Sequence, residues 1–495
     1  MKAVTHLRTC LSTTVTIWLL AVAPVQAQQA FPSDADVQAM LDETVQTGRT
    51  AGVVVGLLDA DGSRRVLAAG DGGPGALPLD GESVFEIGSI SKVFTAILLA
   101  DMVTRGEVEL DEPIAELLPA DVYVPVRNDK TITLLLVTTH HSGLPRMPDN
   151  FSPADPTNPY ADYSTQQMYD FISNHTLTRD PGASYEYSNY AMGLMGHALA
   201  LRAGTTYEEL VTDRIFVPVG MSHSAIELTP WMETHLAIGH DQWGEPTSNW
   251  DIPVLAGAGG IRSTVDDMLD FAAANLSTSD GILYVAMDST HRPRLQISET
   301  ASTAMNWGVS RRGERTITNH SGGTGGYRSF LGLDLDAGRG VVVLTNSGGD
   351  GLDDLGRHLL DPSVPLNSPA VGLAVARAWR SDGAEAATDL YRHLSESERD
   401  DWVFDEFQLN QVGYRLLGRG ELEDAIAIFE LNVEAYPDAA NPYDSLGEGY
   451  QEAGRLEEAR DSYARAVELV QADDPNLALF KGNLYRAEQL LNGTP

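Results

Sequence analysis

The stretch that decides the fold is Phe85-Glu86-Ile87-Gly88-Ser89-Ile90-Ser91-Lys92-Val93-Phe94. Its centre is a Ser-x-x-Lys tetrad, Ser89 and Lys92, at the predicted start of an apolar helix that continues to about Arg105. Positions i and i+3 lie on one face of a helix, so the hydroxyl and the amine can meet. A serine is a weak nucleophile until an adjacent base takes its proton, and a lysine whose pKa burial has lowered can be that base. The tetrad therefore predicts a serine nucleophile that a lysine activates.

The composition is acidic and poor in lysine. The chain has 33 basic and 70 acidic residues and a net charge of −37. Beyond the first 27 residues the only lysines are Lys92, Lys130 and Lys481. In a chain with so few lysines, we interpret the lysine of the tetrad as functional rather than as an ordinary surface charge. An acidic surface repels phosphate backbones and anionic membranes. Nucleic acid is therefore not an expected partner.

Residues 1–27 have the pattern of a secretory signal peptide: a basic start, a mostly apolar run over 14–22, and the small-residue site Val25-Gln26-Ala27. A membrane anchor is the alternative, but the apolar run is short for a span, and no later run is long enough. We expect an exported protein, periplasmic or secreted, with no transmembrane span in the mature chain. The only cysteine, Cys10, lies in this segment, which excludes disulfides and cysteine metal sites from the mature chain.

The rest of the 495-residue chain is too long for one ordinary domain, so we expect at least two. Residues 51–69 read as a β-hairpin, and further strands are predicted at 316–318, 329–333 and 340–345. The region between them, 107–270, is mostly helical. Strands at both ends with helices between predict an α/β domain over 28–362, with one mixed sheet flanked by helices and an inserted helical lobe.

The C-terminal part follows a different pattern. A proline-bearing linker begins at Asp361, and 363–405 is interpreted as linker and helical cap. Over 406–495, similar residues recur 34 positions apart, which is the tetratricopeptide (TPR) period. The matched pairs are Gly413 and Gly447, Ala425 and Ala459, Phe429 and Tyr463, Val412 and Leu446, and Leu416 and Tyr450. We expect small residues and aromatics to pack between paired helices, and the module to offer a surface to a protein partner.

Two further tripeptides fit a serine hydrolase. Tyr187-Ser188-Asn189 follows a Pro-Gly turn, and His320-Ser321-Gly322 ends a predicted strand. Each tripeptide is weak evidence alone. The paired His140 and His141 have no metal-binding spacing and are interpreted as structural hydrogen-bonding groups, and no metal or other cofactor is expected.

In this order, Ser89-x-x-Lys92, Tyr187-x-Asn189 and His320-x-Gly322 resemble the class C β-lactamase-like branch of the penicillin-recognising serine hydrolases, over roughly 35–360. The resemblance implies a β-lactamase-like fold and an acyl-enzyme on Ser89. It implies that Lys92 and Tyr187 share the proton transfers, with the order between them open.

The same resemblance assigns the remaining site residues. Asn189 should hold Lys92 or a substrate amide. The backbone N–H groups of Ser89 and Gly323 should form the oxyanion hole, with His320 and Gly322 beside the substrate. A tyrosine near a cationic lysine should have its phenolate favoured.

The third motif departs from that of β-lactamases, which usually carry Lys-Thr-Gly. A neutral His320 offers no full charge to a carboxylate, so esters or uncharged amides of small molecules or peptides are the favoured substrates. Two alternatives stay open. One is a β-lactamase or peptidoglycan D,D-peptidase, and the other is a non-catalytic interaction protein that uses the repeat and keeps a relic hydrolase domain.

Overall fold

The computed structural model describes residues 31–312, 315–349 and 351–493. The predicted signal peptide at 1–27, with Cys10, lies outside the described residues. The strands are β1 (Gly52–Leu58), β2 (Arg64–Gly70), β3 (Val84–Glu86), β4 (Arg262–Thr264), β5 (Leu295–Gln296), β6 (Ala301–Thr303), β7 (Gly308–Arg312), β8 (Arg315–Gly323), β9 (Arg328–Asp334) and β10 (Arg339–Thr345).

Helices connect these strands and form the whole C-terminal part. They are α1 (Asp34–Gln46), α2 (Ser91–Thr104), α3 (Leu134–Thr138), α4 (Thr165–Asn174), α5 (Asn189–Ala203), α6 (Tyr207–Val211), α7 (Val217–Val219), α8 (Pro230–Thr234), α9 (Ala256–Gly259), α10 (Val265–Asn275), α11 (Ile282–His291), α12 (Asp353–Leu360), α13 (Val371–Ser397), α14 (Glu406–Gly418), α15 (Leu422–Ala435), α16 (Ala440–Glu452), α17 (Leu456–Leu469) and α18 (Leu477–Leu491).

One antiparallel sheet joins the two ends of the α/β domain. Its strand order is β2-β1-β10-β9-β8-β7-β6-β5, so the N-terminal hairpin pairs with the last strand of the domain. Val53 lies opposite Thr345, and Leu58 lies opposite Gly340. The predicted hairpin and the three predicted C-terminal strands are confirmed, as is their union in a single sheet.

The central strands are buried on both faces. Val53, Val55 and Leu57 pack in the cluster that includes residues of α1 and α12. Val54 and Leu58 point the other way, into the large core that includes α2, α5 and α10. This follows from the two-residue period of a strand, and it explains why β1 reads as a continuous apolar run.

Helix α2 runs through the middle of the helical lobe. Its residues from Ser91 to Met102 are all buried. Phe94 stacks on Phe271 of α10, with ring centroids 4.1 Å apart. A helix that is apolar all round belongs in a core, so any polar side chain on it is removed from water. Lys92 is such a side chain.

The C-terminal part is an all-helical module with its own apolar cluster. Gly413 of α14 lies against Phe429 of α15, and a Cβ at 413 would come within 2.3 Å of that ring. Gly447 of α16 lies against Tyr463 of α17 in the same way, at 2.7 Å. The predicted contact between small and aromatic residues is therefore present in both helix pairs.

A loop of the α/β domain, residues 241–245, lies against this module. Arg415 forms an ion pair with Asp241 at 3.0 Å. Arg380 donates a 2.7 Å hydrogen bond to the carbonyl oxygen of Trp243. The Trp243 ring packs against the apolar cluster of the module. The two parts of the chain are thus joined by more than the linker.

No helix among the described residues is both long and apolar enough to cross a membrane.

Candidate active site

The structure brings Ser89 and Lys92 together at the N-terminal end of α2. Ser89 lies in a single 3-10 turn, Gly88–Ile90, and Lys92 is the second residue of the helix. Lys92 Nζ donates a 2.9 Å hydrogen bond to Ser89 Oγ. It also donates one of 2.6 Å to the carbonyl oxygen of Ala258. The predicted contact is present, although the serine precedes the α-helix rather than beginning it.

The Lys92 side chain is fully buried, at 0 % exposure. Burial lowers the pKa of Lys92 well below its usual value, and the positive charge of Arg146 lowers that pKa further. No described carboxylate forms an ion pair with this amine. A neutral amine is a proton acceptor, so the lowered pKa favours the charge state that a base for Ser89 requires.

Tyr187 faces the same pair of side chains from the segment before α5. The centroid of its ring lies 4.8 Å from Lys92 Nζ. Burial raises the pKa of Tyr187 to about 12, and a hydrogen bond with Ser89 and the charge of Arg146 only partly oppose that rise. We expected the phenolate to be favoured, but desolvation of the phenolate outweighs the neighbouring positive charge. Tyr187 is therefore a phenol near neutral pH.

His140 supports this tyrosine. Their rings lie 4.4 Å apart with an angle of 33° between planes. The backbone N–H of Ser188 donates a 3.2 Å hydrogen bond to His140 Nδ1. His140 adopts a left-handed backbone conformation with φ of 59°. The interpretation of His140 as a structural hydrogen-bonding group fits these contacts, which fix the segment that carries Tyr187.

Asn189 begins α5 and lines the cleft beside Ser89. Its Nδ2 lies 3.5 Å from the hydroxyl of Tyr160 and 3.8 Å from the sulfur of Met147. Its Oδ1 is buried, without a hydrogen-bond partner among the described residues. The amide makes no direct hydrogen bond to Lys92, which leaves the binding of a substrate amide as its expected role.

The end of β8 passes close to the nucleophile. A Cβ at Gly322 would lie 2.0 Å from the carbonyl oxygen of Ile87. A Cβ at Gly88, whose φ is 49°, would lie 2.6 Å from the backbone nitrogen of Gly323. Glycine is required at both positions because the two backbones touch. This approach brings the Gly323 N–H beside the turn that carries Ser89.

His320 is a half-buried side chain of β8. Its Nδ1 lies 2.7 Å from the carbonyl oxygen of Ser321, so the ring nitrogen donates to that oxygen. Burial is the main cause that lowers the pKa of His320 to about 4. The imidazole is neutral at pH 7, as the ordinary pKa of histidine led us to predict.

The site lies in a cleft of ≈ 160 Å³. The sequence analysis missed several of its walls: Arg146, Met147, Tyr160, Trp250 and Ile252. Arg146 and Met147 directly follow Ser142-Gly143-Leu144-Pro145, a stretch that carries the resemblance, and this proximity is the signal that could have found them. Tyr190 and Trp307 lie in the buried core, and Tyr185 is half exposed.

Among the described residues, no group of three or more His, Asp or Glu side chains is arranged to hold a metal ion.

The buried Lys92 amine contacts the Ser89 hydroxyl and Tyr187 lies beside both, an arrangement typical of a serine hydrolase. The chain matches the sequence model of the β-lactamase family over residues 37–362 and belongs to that family. Its relatives include a D-alanyl-D-alanine-carboxypeptidase/endopeptidase, AmpH, of Escherichia coli, 27% identical over 341 residues that cover 63% of this chain and 86% of the relative. A β-lactamase of Pseudomonas fluorescens is 26% identical over 303 residues, or 54% and 81% of the two chains.

Solved structures agree on the fold. A class C β-lactamase from Rhodobacter sphaeroides is similar with a TM-score of 0.57 and 24% identity, covering 66% of this chain and 98% of that one. A β-lactamase/D-alanine carboxypeptidase from Pseudomonas syringae has a TM-score of 0.58 and 19% identity, covering 67% and 99%. The predicted β-lactamase-like fold is confirmed, and the C-terminal helical module is additional to it.

Proposed function

We propose that this protein is an exported serine hydrolase that cleaves ester or amide bonds of small molecules or peptides through an acyl-enzyme on Ser89. The observation that carries the proposal is the 2.9 Å contact between the buried Lys92 amine and Ser89 Oγ. An amine in this position has a low pKa and direct access to the serine proton.

In the acylation step, the neutral Lys92 amine takes the Ser89 proton while Oγ bonds to the substrate carbonyl carbon. The electron pair of the carbonyl moves to its oxygen, where the N–H groups of Ser89 and Gly323 bind it. Loss of one such donor typically raises the barrier by about 2.7–4 kcal/mol. When the intermediate collapses, the bond to the leaving oxygen or nitrogen breaks.

The Tyr187 phenol gives its proton to the leaving atom and takes the proton that Lys92 received. Both groups then have their starting charge states. In deacylation a water molecule passes its proton through the same pair and attacks the acyl carbon, and Ser89 leaves with a proton. The pKa values support Lys92 as the first base, since its pKa is lowered while that of Tyr187 is raised to about 12.

A β-lactamase or D,D-peptidase is the second candidate, and it uses the same nucleophile. It is supported by the relatives, one of which carries the name of a D-alanyl-D-alanine-carboxypeptidase/endopeptidase and another that of a β-lactamase. The relic interpretation has little support, because the nucleophile, the lysine and the tyrosine remain in contact.

Export and a TPR-type helical module are also part of the proposal. Export rests on the signal-peptide pattern of residues 1–27. The TPR-type assignment rests on the 34-residue spacing and on the glycine–aromatic contacts of both helix pairs. Binding of a protein partner by this module is an expectation from that repeat type.

A fluorophosphonate probe tests the nucleophile. It should add one label, on the peptide that contains Ser89, and Ser89→Ala should remove both the label and turnover of short-chain esters, D-amino-acid amides or a chromogenic cephalosporin. Ser91→Ala is a matched control, because the Ser91 hydroxyl already accepts a 3.0 Å hydrogen bond from Ile261 N–H inside the core. Labelling that persists in Ser89→Ala would contradict the proposal.

A further inference from the structure

Arg146 is the only charged residue among the described residues that line the cleft. No described residue that lines the cleft is acidic, although the chain as a whole has a net charge of −37. The charge of this cleft is therefore opposite in sign to the net charge of the protein. A positive side chain at the cleft favours the binding of anions there, which the net negative charge alone would oppose.

The arginines of this chain typically pair with carboxylates. Arg49 pairs with Asp354 at 2.8 Å, for example, and Arg214 pairs with Asp101 at 2.9 Å. Arg146 forms no ion pair with a described carboxylate. Its guanidinium lies over the ring of Tyr187, 5.2 Å from the centroid. Stacking holds the planar group at the cleft and leaves the N–H donors at its edge available to a ligand.

We propose that Arg146 binds a carboxylate group of the substrate and makes the enzyme selective for anionic esters or amides. This inference rests on the proposed function and adds the substrate class to it. Carboxylates accept the paired N–H donors of arginine in a bidentate, charge-assisted arrangement. Lys92 Nζ and Arg146 Cζ lie 4.8 and 5.2 Å from one ring centroid, so the bound carboxylate is close to the scissile bond.

The walls of the cleft suit the remainder of such a substrate. The rings of Tyr160 and Trp250 lie 5.3 Å apart and offer apolar surface next to the unpartnered Oδ1 of Asn189. The expectation of uncharged substrates rested on the neutral His320 and on the acidic composition of the chain. The positive charge missing at position 320 is supplied by Arg146, so we replace that expectation with a preference for carboxylates.

Arg146 also acts on the general base. Its positive charge contributes to the lowered pKa of Lys92. Removing the charge should raise the pKa of Lys92, so a higher pH is needed to obtain the neutral amine. The acidic limb of the kcat/KM profile should then move to higher pH in Arg146→Gln. A residue with a merely structural role would not shift this limb.

The test compares two pairs of substrates at pH 7. In the first, an N-phenylacetylglycine ester carries 3-hydroxybenzoate or 3-hydroxybenzamide as its leaving group. In the second, a 4-nitrophenyl ester carries glutarate or glutaramate as its acyl group. The pairs place the carboxylate on opposite sides of the scissile bond. We expect the full-length protein to prefer the carboxylate in at least one pair, by about tenfold to a hundredfold in kcat/KM, the size expected of hydrogen bonds to charged groups.

Arg146→Gln should remove that preference and Arg146→Lys should restore part of it. Arg399→Gln is the matched control, since Arg399 stacks on Phe404 at 5.0 Å without an ion pair to a described carboxylate and lies in the helical module. Unchanged substrate ratios in Arg146→Gln, or a preference for the carboxamide in both pairs, would overturn the proposal.

Binding measurements separate this inference from the proposed function. Calorimetry with the Ser89→Ala protein reports the affinity for the carboxylate and carboxamide esters without turnover. Tighter binding of the carboxylate that Arg146→Gln abolishes supports the anion site even if the wild-type protein hydrolyses neither ester, in which case the proposed function alone fails. Equal binding of both esters overturns the anion site.

Discussion

The carbonyl oxygen of Ala258 accepts a 2.6 Å hydrogen bond from Lys92 Nζ, across 166 residues of sequence. A carbonyl can only accept, so one N–H of the amine is always directed to it. In the neutral amine the nitrogen also has a lone pair, and rotation of the amine can direct it to Ser89 Oγ, 2.9 Å away, in place of the donated N–H. The segment 256–259 thus orients the base as well as lining the cleft.

Lys92→Met and Tyr187→Phe should each lower kcat by about 10²- to 10⁴-fold, the range typical of general acid–base groups. The double variant should be little worse than either single variant, because groups that act as a unit give non-additive losses. Steady-state kinetics with a short-chain ester, with thermal unfolding as the folding control, measures both effects. Losses that multiply fully would show that the two side chains act independently.

The pH profile should identify which side chain is the first base. Because the pKa of Lys92 is lowered well below its usual value, the amine becomes neutral at a lower pH than an ordinary lysine. Activity should therefore rise with pH through the pKa of Lys92, at a lower pH than an ordinary lysine would require. Since the pKa of Tyr187 is raised to about 12, Tyr187→Phe should leave the acidic limb in place while lowering its plateau. An acidic limb that disappears with Tyr187→Phe would instead assign the base to tyrosine.

Features that depend on residues close together in the sequence could be predicted from the sequence. The hairpin of β1 and β2, the strands β8 to β10 and the apolar helix α2 follow from period and turn residues, and each is present. The contact between Ser89 and Lys92 follows from helical spacing. The two glycine–aromatic contacts of the helical module follow from its repeat.

The remaining features depend on burial and on distant segments. The raised pKa of Tyr187 reflects desolvation, which a linear pattern does not reveal. Arg146 became a candidate only when its guanidinium was placed over the Tyr187 ring with no carboxylate partner among the described residues. The Asn189 amide lies beside the Tyr160 hydroxyl rather than Lys92. This neighbour is set by the packing of distant segments, which the local sequence does not show.

His140 should act as a positioning residue for Tyr187. His140→Ala should lower kcat about tenfold with little change in KM, since the ring that packs against the phenol is lost while the substrate contacts remain. His140→Asn should recover part of the loss, because asparagine tolerates a φ of 59° and its oxygen can accept the Ser188 N–H. His141→Ala is the neighbouring control, as the His141 ring bonds to the Thr139 carbonyl oxygen and packs edge-on against Tyr185. An equal loss of kcat in His141→Ala would remove the argument for a specific role of His140.

The helical module should stabilise one wall of the cleft. Trp243 packs on the module, and seven residues later Trp250 lines the cleft, where its backbone N–H donates a 2.7 Å hydrogen bond to Glu86. A chain that ends at Ser368 should still fold, because the catalytic domain has its own core. It should retain hydrolysis of small esters. Its KM for larger substrates should rise, since residues 241–245 lose their support.

Trp243→Ala in the full-length protein should reproduce this effect in part. It removes a half-buried ring, which typically destabilises by about 1–3 kcal/mol, and it loosens the loop without deleting the module. Trp402→Ala is the matched control, because Trp402 packs against the same apolar cluster on a different segment. Differential scanning calorimetry and KM for a small and a large ester measure both consequences. If Trp402→Ala raises KM as much as Trp243→Ala does, the module acts through its overall stability and not through the loop at 241–245. If only Trp243→Ala raises KM, the module acts on the cleft through that loop.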